Sequence, residues 1–199
     1  MSLQQSATRG QQRGIGGLPL RPAALAGLVT FVVGYLVTYV VKIGDVNEAL
    51  QSPLIDLSTL PTPADWQVIG WYFLGAHNVA TEATTRLGGS MTTSTLDLDV
   101  PTWLMLIPPG FLLVAGFSVV RYVEFREPLR GALAGASITI AYVVGVVVLA
   151  LLSAWTVSEG GNASLQVAPA LLSSVIVAGV AYPVVFGGLG GALAAVVTS

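Results

Sequence analysis

Asp65, His77 and Glu82 fall within eighteen residues of one another, with Asn78 beside the histidine. An imidazole that meets a carboxylate in a cleft can act as a general base on lipid or as a weak metal ligand. His77 is the sole histidine and the chain has no cysteine. Multi-histidine metal sites, thiolate sites, iron–sulfur clusters, disulfides and cysteine nucleophiles are thereby excluded. A lone histidine at the end of an aromatic-rich helix also has a plainer use, as a hydrogen-bond or headgroup contact. The G-x-S-x-G and H-E-x-x-H patterns are absent. The expectation is a protein that is not an enzyme and carries no cofactor or metal.

A second group is neutral. Tyr35, Thr38 and Tyr39 lie on one face of an apolar run, Ser137, Thr139 and Tyr142 in another, and Ser173, Ser174 and Tyr182 in a third. Converging hydroxyls from Tyr35, Thr38, Tyr142 and Tyr182 would line a path for a neutral or lipid-like solute; the alternative is ordinary hydrogen bonding between helices. No apolar run holds a charged residue or histidine between its ends, which weighs against ion-coupled transport. Small residues recur at four-residue spacing as Ala23/Gly27, Gly131/Gly135, Ala141/Gly145, Gly187/Gly191 and Gly190/Ala194. Such pairs let helix backbones approach closely, within one chain or between copies. The glycine cluster at 187–191 is no phosphate loop, since no Lys-Ser/Thr follows it.

The elements that must position these groups follow from composition. Of 199 residues, 54% are apolar and 9% charged, far below the roughly 25% charged of a soluble domain. The pattern predicts an all-α integral membrane protein: a four-helix transmembrane bundle with an outer interfacial or re-entrant helix. Spans are expected at about 22–43, 101–121, 131–155 and 167–197, each at least the roughly 20 residues that cross a bilayer. Residues 1–21, rich in Gln, Gly and Ser, read as a disordered tail, and 22–199 as one membrane domain. Pro108-Pro109-Gly110 is expected to kink or interrupt the second span, and the overlong fourth to tilt, kink near Pro183 or start in the interface. Within the polar loop 44–100, the run about 65–78 is too short to cross and carries rings suited to the headgroup zone, with Asp65 available to cap it. Trp66, Trp71, Trp103 and Trp155 read as interfacial anchors.

The tail and the connection between the second and third spans hold six of the eight basic residues. With four spans this places both termini in the cytoplasm and loop 44–100 outside, in the cell membrane. The net charge of −2 and the scattered basic residues exclude a nucleic-acid partner. Expected partners are membrane lipid and another membrane protein or a second copy. Asn162-Ala163-Ser164 matches a glycosylation sequon. Acidic excess in the outer loops, and one lysine against seven arginines, read as a face solvated in concentrated salt.

The segments Leu18 to Gly27, Val33 to Tyr39, Gly70-Trp71-Tyr72-Phe73 with Ala76-His77, and Tyr182 to Gly191 together resemble a family of uncharacterised transmembrane proteins of halophilic archaea. The resemblance covers most of the chain and implies four spans in an archaeal cell membrane. That family has no assigned activity, so it carries over no functional residue. Negative chemistry and small-residue helix faces favour a non-enzymatic accessory or scaffold subunit, with an uncoupled channel or carrier as the alternative.

Overall fold

Residues 20–50 contain one proline, Pro22, and it falls in the first turn, where a missing N–H costs nothing. The computed structural model, which describes residues 18–50, 61–159 and 163–197, accordingly winds Leu20–Leu50 as a single helix, α1. Residues 1–17 of the expected tail, Asp56 and Asn162 lie outside the described residues. Then follow α2 (Asp65–Gly75), β1 (Thr81–Leu87), β2 (Ser90–Leu96), α3 (Ile107–Val123), α4 (Pro128–Ala136), α5 (Thr139–Leu152), β3 (Trp155–Glu159), β4 (Ala163–Pro169) and a last helix, α6, over Leu171–Val197. Among the described residues, four helices are long and apolar enough to cross a membrane: Leu20–Leu50, Leu104–Val123, Pro128–Leu152 and Leu171–Val197. Their outward sides are apolar, as at Leu25, Val29, Val32, Leu36 and Val40 on α1.

The all-α expectation is corrected by a four-stranded antiparallel sheet in the order β2-β1-β4-β3. Strands β1 and β2 are rich in threonine, whose branched side chain fits a pleated surface. Gly88 and Gly89 join β1 to β2 with φ of 55° and 90°, the positive values a two-residue hairpin needs. The stretch between the third and fourth expected spans, expected as a polar loop, forms strands β3 (Trp155–Glu159) and β4 (Ala163–Pro169), and β4 takes in residues 167–169 that were expected to open the fourth span.

Boundaries shift for local reasons. Nothing breaks the helix before Leu50, so Asp45 and Glu48 stand on α1 rather than in a loop. Pro108 and Pro109 occupy the first turn of α3 behind a short 3-10 turn at Leu104–Leu106, so they begin that helix and do not interrupt it. The third apolar run is interrupted at Ser137 and Ile138. There the Ser137 hydroxyl donates to Ala134 O at 2.6 Å and that of Thr139 to Ala136 O at 2.7 Å, competing with the helical ladder. In α6, Ser174–Ala181 and Pro183–Gly187 are π-wound. Pro183 has no N–H to give and would crowd the carbonyl four residues back in an α-turn; the wider winding relieves that conflict.

Two compact units divide the chain, one drawn from residues up to Thr30, Pro109–Tyr142 and Tyr182 onward, the other from Phe31–Pro108 and Val143–Ala181. In the first, glycines set the packing. Gly131 and Gly135 of α4 lie against Gly191 and Gly187 of α6, Gly116 of α3 against Gly187, Gly190 against Leu113 O, and Gly27 against the Ile138 carbonyl at the α4–α5 break. At each contact a Cβ would strike a backbone oxygen, so only glycine permits the approach. Val120, Ala134, Ala194 and Ala195 form a buried cluster beside these crossings, with Phe117 and Phe125 against it.

Candidate interaction surface

The second unit holds the sheet, α2 and every charged or aromatic group singled out between residues 65 and 82. Helix α2 is fixed at both ends. Gln67 accepts the Ala64 N–H at 3.0 Å and donates to Ala154 O at 3.2 Å and Leu152 O at 3.4 Å, while Trp71 Nε1 donates to Ser153 O at 2.9 Å. These two side chains therefore cap the carbonyl end of α5, whose last oxygens have no partner within the helix. Gly70 makes room for the clasp, since a Cβ there would meet Ser153 and Leu149 side chains at 3.1 and 3.2 Å. The start of α2 is capped by Gln67, not by Asp65, which sits in the first turn. Trp71 is buried and is a structural donor, in contrast to exposed Trp66 and Trp103.

The helix closes with Val79 N–H to Leu74 O at 3.2 Å, Asn78 N–H to Gly75 O at 2.8 Å and Asn78 at φ 60°, the Schellman arrangement. His77 is the residue before that left-handed step and is wholly buried. Its Nδ1 lies 2.8 Å from Phe73 O, so Nδ1 carries the proton and donates to that carbonyl. The ring stacks edge-on with Phe73 at 4.9 Å, and Phe73 in turn meets Phe31 and Tyr35 of α1 at 5.5 and 6.0 Å. Burial pushes the His77 pKa down to about 4, against a smaller opposite effect of the bond to Phe73. His77 is therefore a neutral packing residue at neutral pH.

Asp65 and His77 stand at opposite ends of α2, and Glu82 is exposed on β1. Of the hydroxyl group, Tyr35 donates to Trp66 O at 3.0 Å and Thr38 to Gly34 O at 3.0 Å in the second unit. Tyr142, buried, and Tyr182, half-buried and 5.4 Å from Phe186, belong to the first. Lys42 pairs with Asp45 and lies over the Tyr72 ring, 4.7 Å from its centre. Among the described residues no group of three His, Asp or Glu could hold a metal ion.

The sheet divides its residues by face. Strand register places Glu82, Thr84 and Arg86 of β1 beside Thr93 and Thr95 of β2 and beside Gln166 of β4, which pairs with Thr156 of β3. The opposite face carries Thr81, Val157 and Val167, all buried. Strand β2 forms one edge. All seven of its residues, Ser-Met-Thr-Thr-Ser-Thr-Leu, are exposed, and none is charged or proline. This edge was not read from the sequence, although two threonine-rich runs around Gly88-Gly89 are a hairpin signal.

A family of unknown function, DUF7978, matches residues 1–198, and the chain belongs to that family. No curated protein and no solved structure matches it.

Proposed function

We propose that this DUF7978 member is an integral membrane protein acting as a non-enzymatic accessory or scaffold subunit, with its sheet as the docking element. The observation that carries this reading is the bare β2 edge. Its seven residues are exposed, and alternate ones turn their backbone N–H and C=O groups away from β1, with none of the charges, prolines or bulges by which sheets ordinarily protect an edge. An extended segment of a partner can add there as a further strand, its backbone supplying the bonds and the alternating threonines the selectivity. The hydroxyls of Tyr35, Thr38, Ser118, Ser137, Thr139 and Ser174 all donate to backbone carbonyls, as helix-internal or structural bonds do, which favours a scaffold over a solute path. The small-residue faces of α4 and α6 are filled by each other, so partners meet the sheet rather than those stripes.

The apolar outer sides of four helices support a multi-pass place in the cell membrane, and the basic residues near Arg21 and between Arg121 and Arg130 support cytoplasmic termini with the sheet outside. The acid-rich, lysine-poor composition fits a halophilic archaeal setting. Because the chain has no cysteine, Thr93→Cys introduces a unique thiol at the middle of β2. In native membranes a short thiol crosslinker at this position is expected to yield one discrete heavier species, identified by mass spectrometry, that a Leu193→Cys control does not give. Recovery of the uncrosslinked protein alone from both variants would overturn the scaffold reading.

A further inference from the structure

A cleft of about 310 Å³ opens between the polar face of the sheet, the last turn of α5 and the first residue of α6, wholly within the second unit. Its polar wall is made of three side chains at adjacent register positions. Thr84 pairs directly with Gln166 across β1 and β4, and Glu82 lies two residues from Thr84 on the same face. Leu151 at the end of α5, with Pro169 and Leu171, supplies apolar walls.

The charge and chemistry of this wall restrict what can occupy it. Glu82 is the sole charged residue of the lining, and no salt bridge to it exists among the described residues. An anion would meet a carboxylate with no cation beside it. A neutral guest would draw no charge attraction from the carboxylate. A hard metal ion needs about six oxygens and several carboxylates, and the cleft has one. No aromatic ring lines it, so the cage that selects quaternary ammonium groups is absent. A primary ammonium has three N–H donors, and the cleft is lined by three oxygen-bearing side chains at neighbouring positions on one face of the sheet: the Glu82 carboxylate, the Gln166 amide and the Thr84 hydroxyl, which shares a hydrogen bond with the Thr93 hydroxyl at 3.0 Å and keeps a lone pair to accept another. A volume at the low end of ligand pockets suits a short hydrocarbon body against the apolar walls.

We infer that this cleft binds a primary ammonium group carried on a short apolar stem, engaged by Glu82, Thr84 and Gln166. The shared chemistry has two sources: a free alkylamine, or the aminoethyl headgroup of a membrane lipid. The inference stands on the cleft alone and is independent of any partner at β2.

The test uses the full chain purified in detergent at low ionic strength, where an exposed carboxylate is least screened. n-Butylammonium is expected to bind saturably at millimolar concentration, with tetramethylammonium and n-butanol at least tenfold weaker. Glu82→Gln is expected to weaken n-butylammonium about tenfold, about 1.4 kcal/mol, and Gln166→Leu to weaken it several-fold, while Glu48→Gln, an exposed acid on α1, leaves it unchanged. A parallel arm reconstitutes the protein in vesicles of phosphatidylethanolamine or phosphatidylcholine and compares thermal midpoints. Stabilisation by the former alone, lost in Glu82→Gln, assigns the site to the lipid headgroup even if n-butylammonium binds too weakly to measure. Binding of n-butylammonium without a lipid preference assigns it to a free amine. No Glu82-dependent effect in either arm, or n-butylammonium binding that Glu82→Gln and Gln166→Leu leave unchanged, overturns the inference. If Glu82→Gln fails to fold, Gln166→Leu and the tetramethylammonium comparison decide it.

Discussion

The burial of His77 links the stability of the second unit to pH. Its folded-state pKa of about 4 lies below the ordinary 6.5, so an opened state takes up a proton that the folded state refuses. Stability from this group is complete above about pH 6.5 and declines as pH falls toward 4, by on the order of 3 kcal/mol in all. The thermal midpoint in detergent is expected to fall between pH 7 and 4.5. In His77→Asn, less stable at pH 7, that slope should flatten; equal slopes would assign the titration to another group. Glycines offer a second contrast. Gly135→Ala places a methyl on the Gly187 carbonyl and is expected to cost about 1–3 kcal/mol through overpacking. Gly44 faces open space on α1, and Gly44→Ala should be neutral or stabilising by up to about 1 kcal/mol. Guanidinium- or detergent-induced unfolding of the pair measures the difference, and equal effects would mean the α4–α6 crossing is looser than described.

At the scale of elements, α2 and the sheet depend on bonds between segments far apart in sequence. Trp71→Phe keeps an aromatic ring, though a smaller one, and removes the donor to Ser153 O, 82 residues away. The expected loss is about 1–3 kcal/mol, because a buried carbonyl is left without its partner. Faster hydrogen exchange at the amides of α2, with those of α4 unchanged, is the accompanying sign; unaltered exchange in α2 would show that packing alone holds it. The long helices were legible because twenty uncharged apolar residues permit little else. Helix α2 was legible as a short aromatic run, but not its role: the sequence pattern suggests four interfacial tryptophans and conceals that Trp71 points inward. The strands were less legible. Ala163 to Val167 alternates apolar and polar residues as strands do, yet the polar run 157–164 reads as a loop between two long apolar runs when only hydropathy is read. The hairpin at Gly88-Gly89 carried an explicit signal in its paired glycines and threonine-rich flanks, masked by the overall polarity of its surroundings.

For the whole molecule, function turns on what the chain leaves unsatisfied after it has folded. The small-residue pairs of α4 and α6 and the hydroxyls of Tyr35, Thr38, Ser137 and Thr139 are used internally, while an uncharged strand edge and a singly charged cleft remain exposed. The crosslinking and amine-binding experiments address these two features separately, so either reading can fail without the other. Composition and hydropathy alone sufficed for the long helices: eighteen charges in 199 residues leave four apolar runs of span length, and each is helical over most of its length. The sequence by itself also determined the absence of cysteine and multi-histidine chemistry, because those need residues the chain lacks. Only the tertiary structure decided that Gly131 and Gly135 meet Gly191 and Gly187, that His77 is buried, and that Glu82, Thr84 and Gln166 line one cleft. The reason is physical. Hydropathy and helical length are sums over neighbouring residues, whereas partner choice for a glycine face, a buried ring or a strand depends on contacts between residues tens of positions apart.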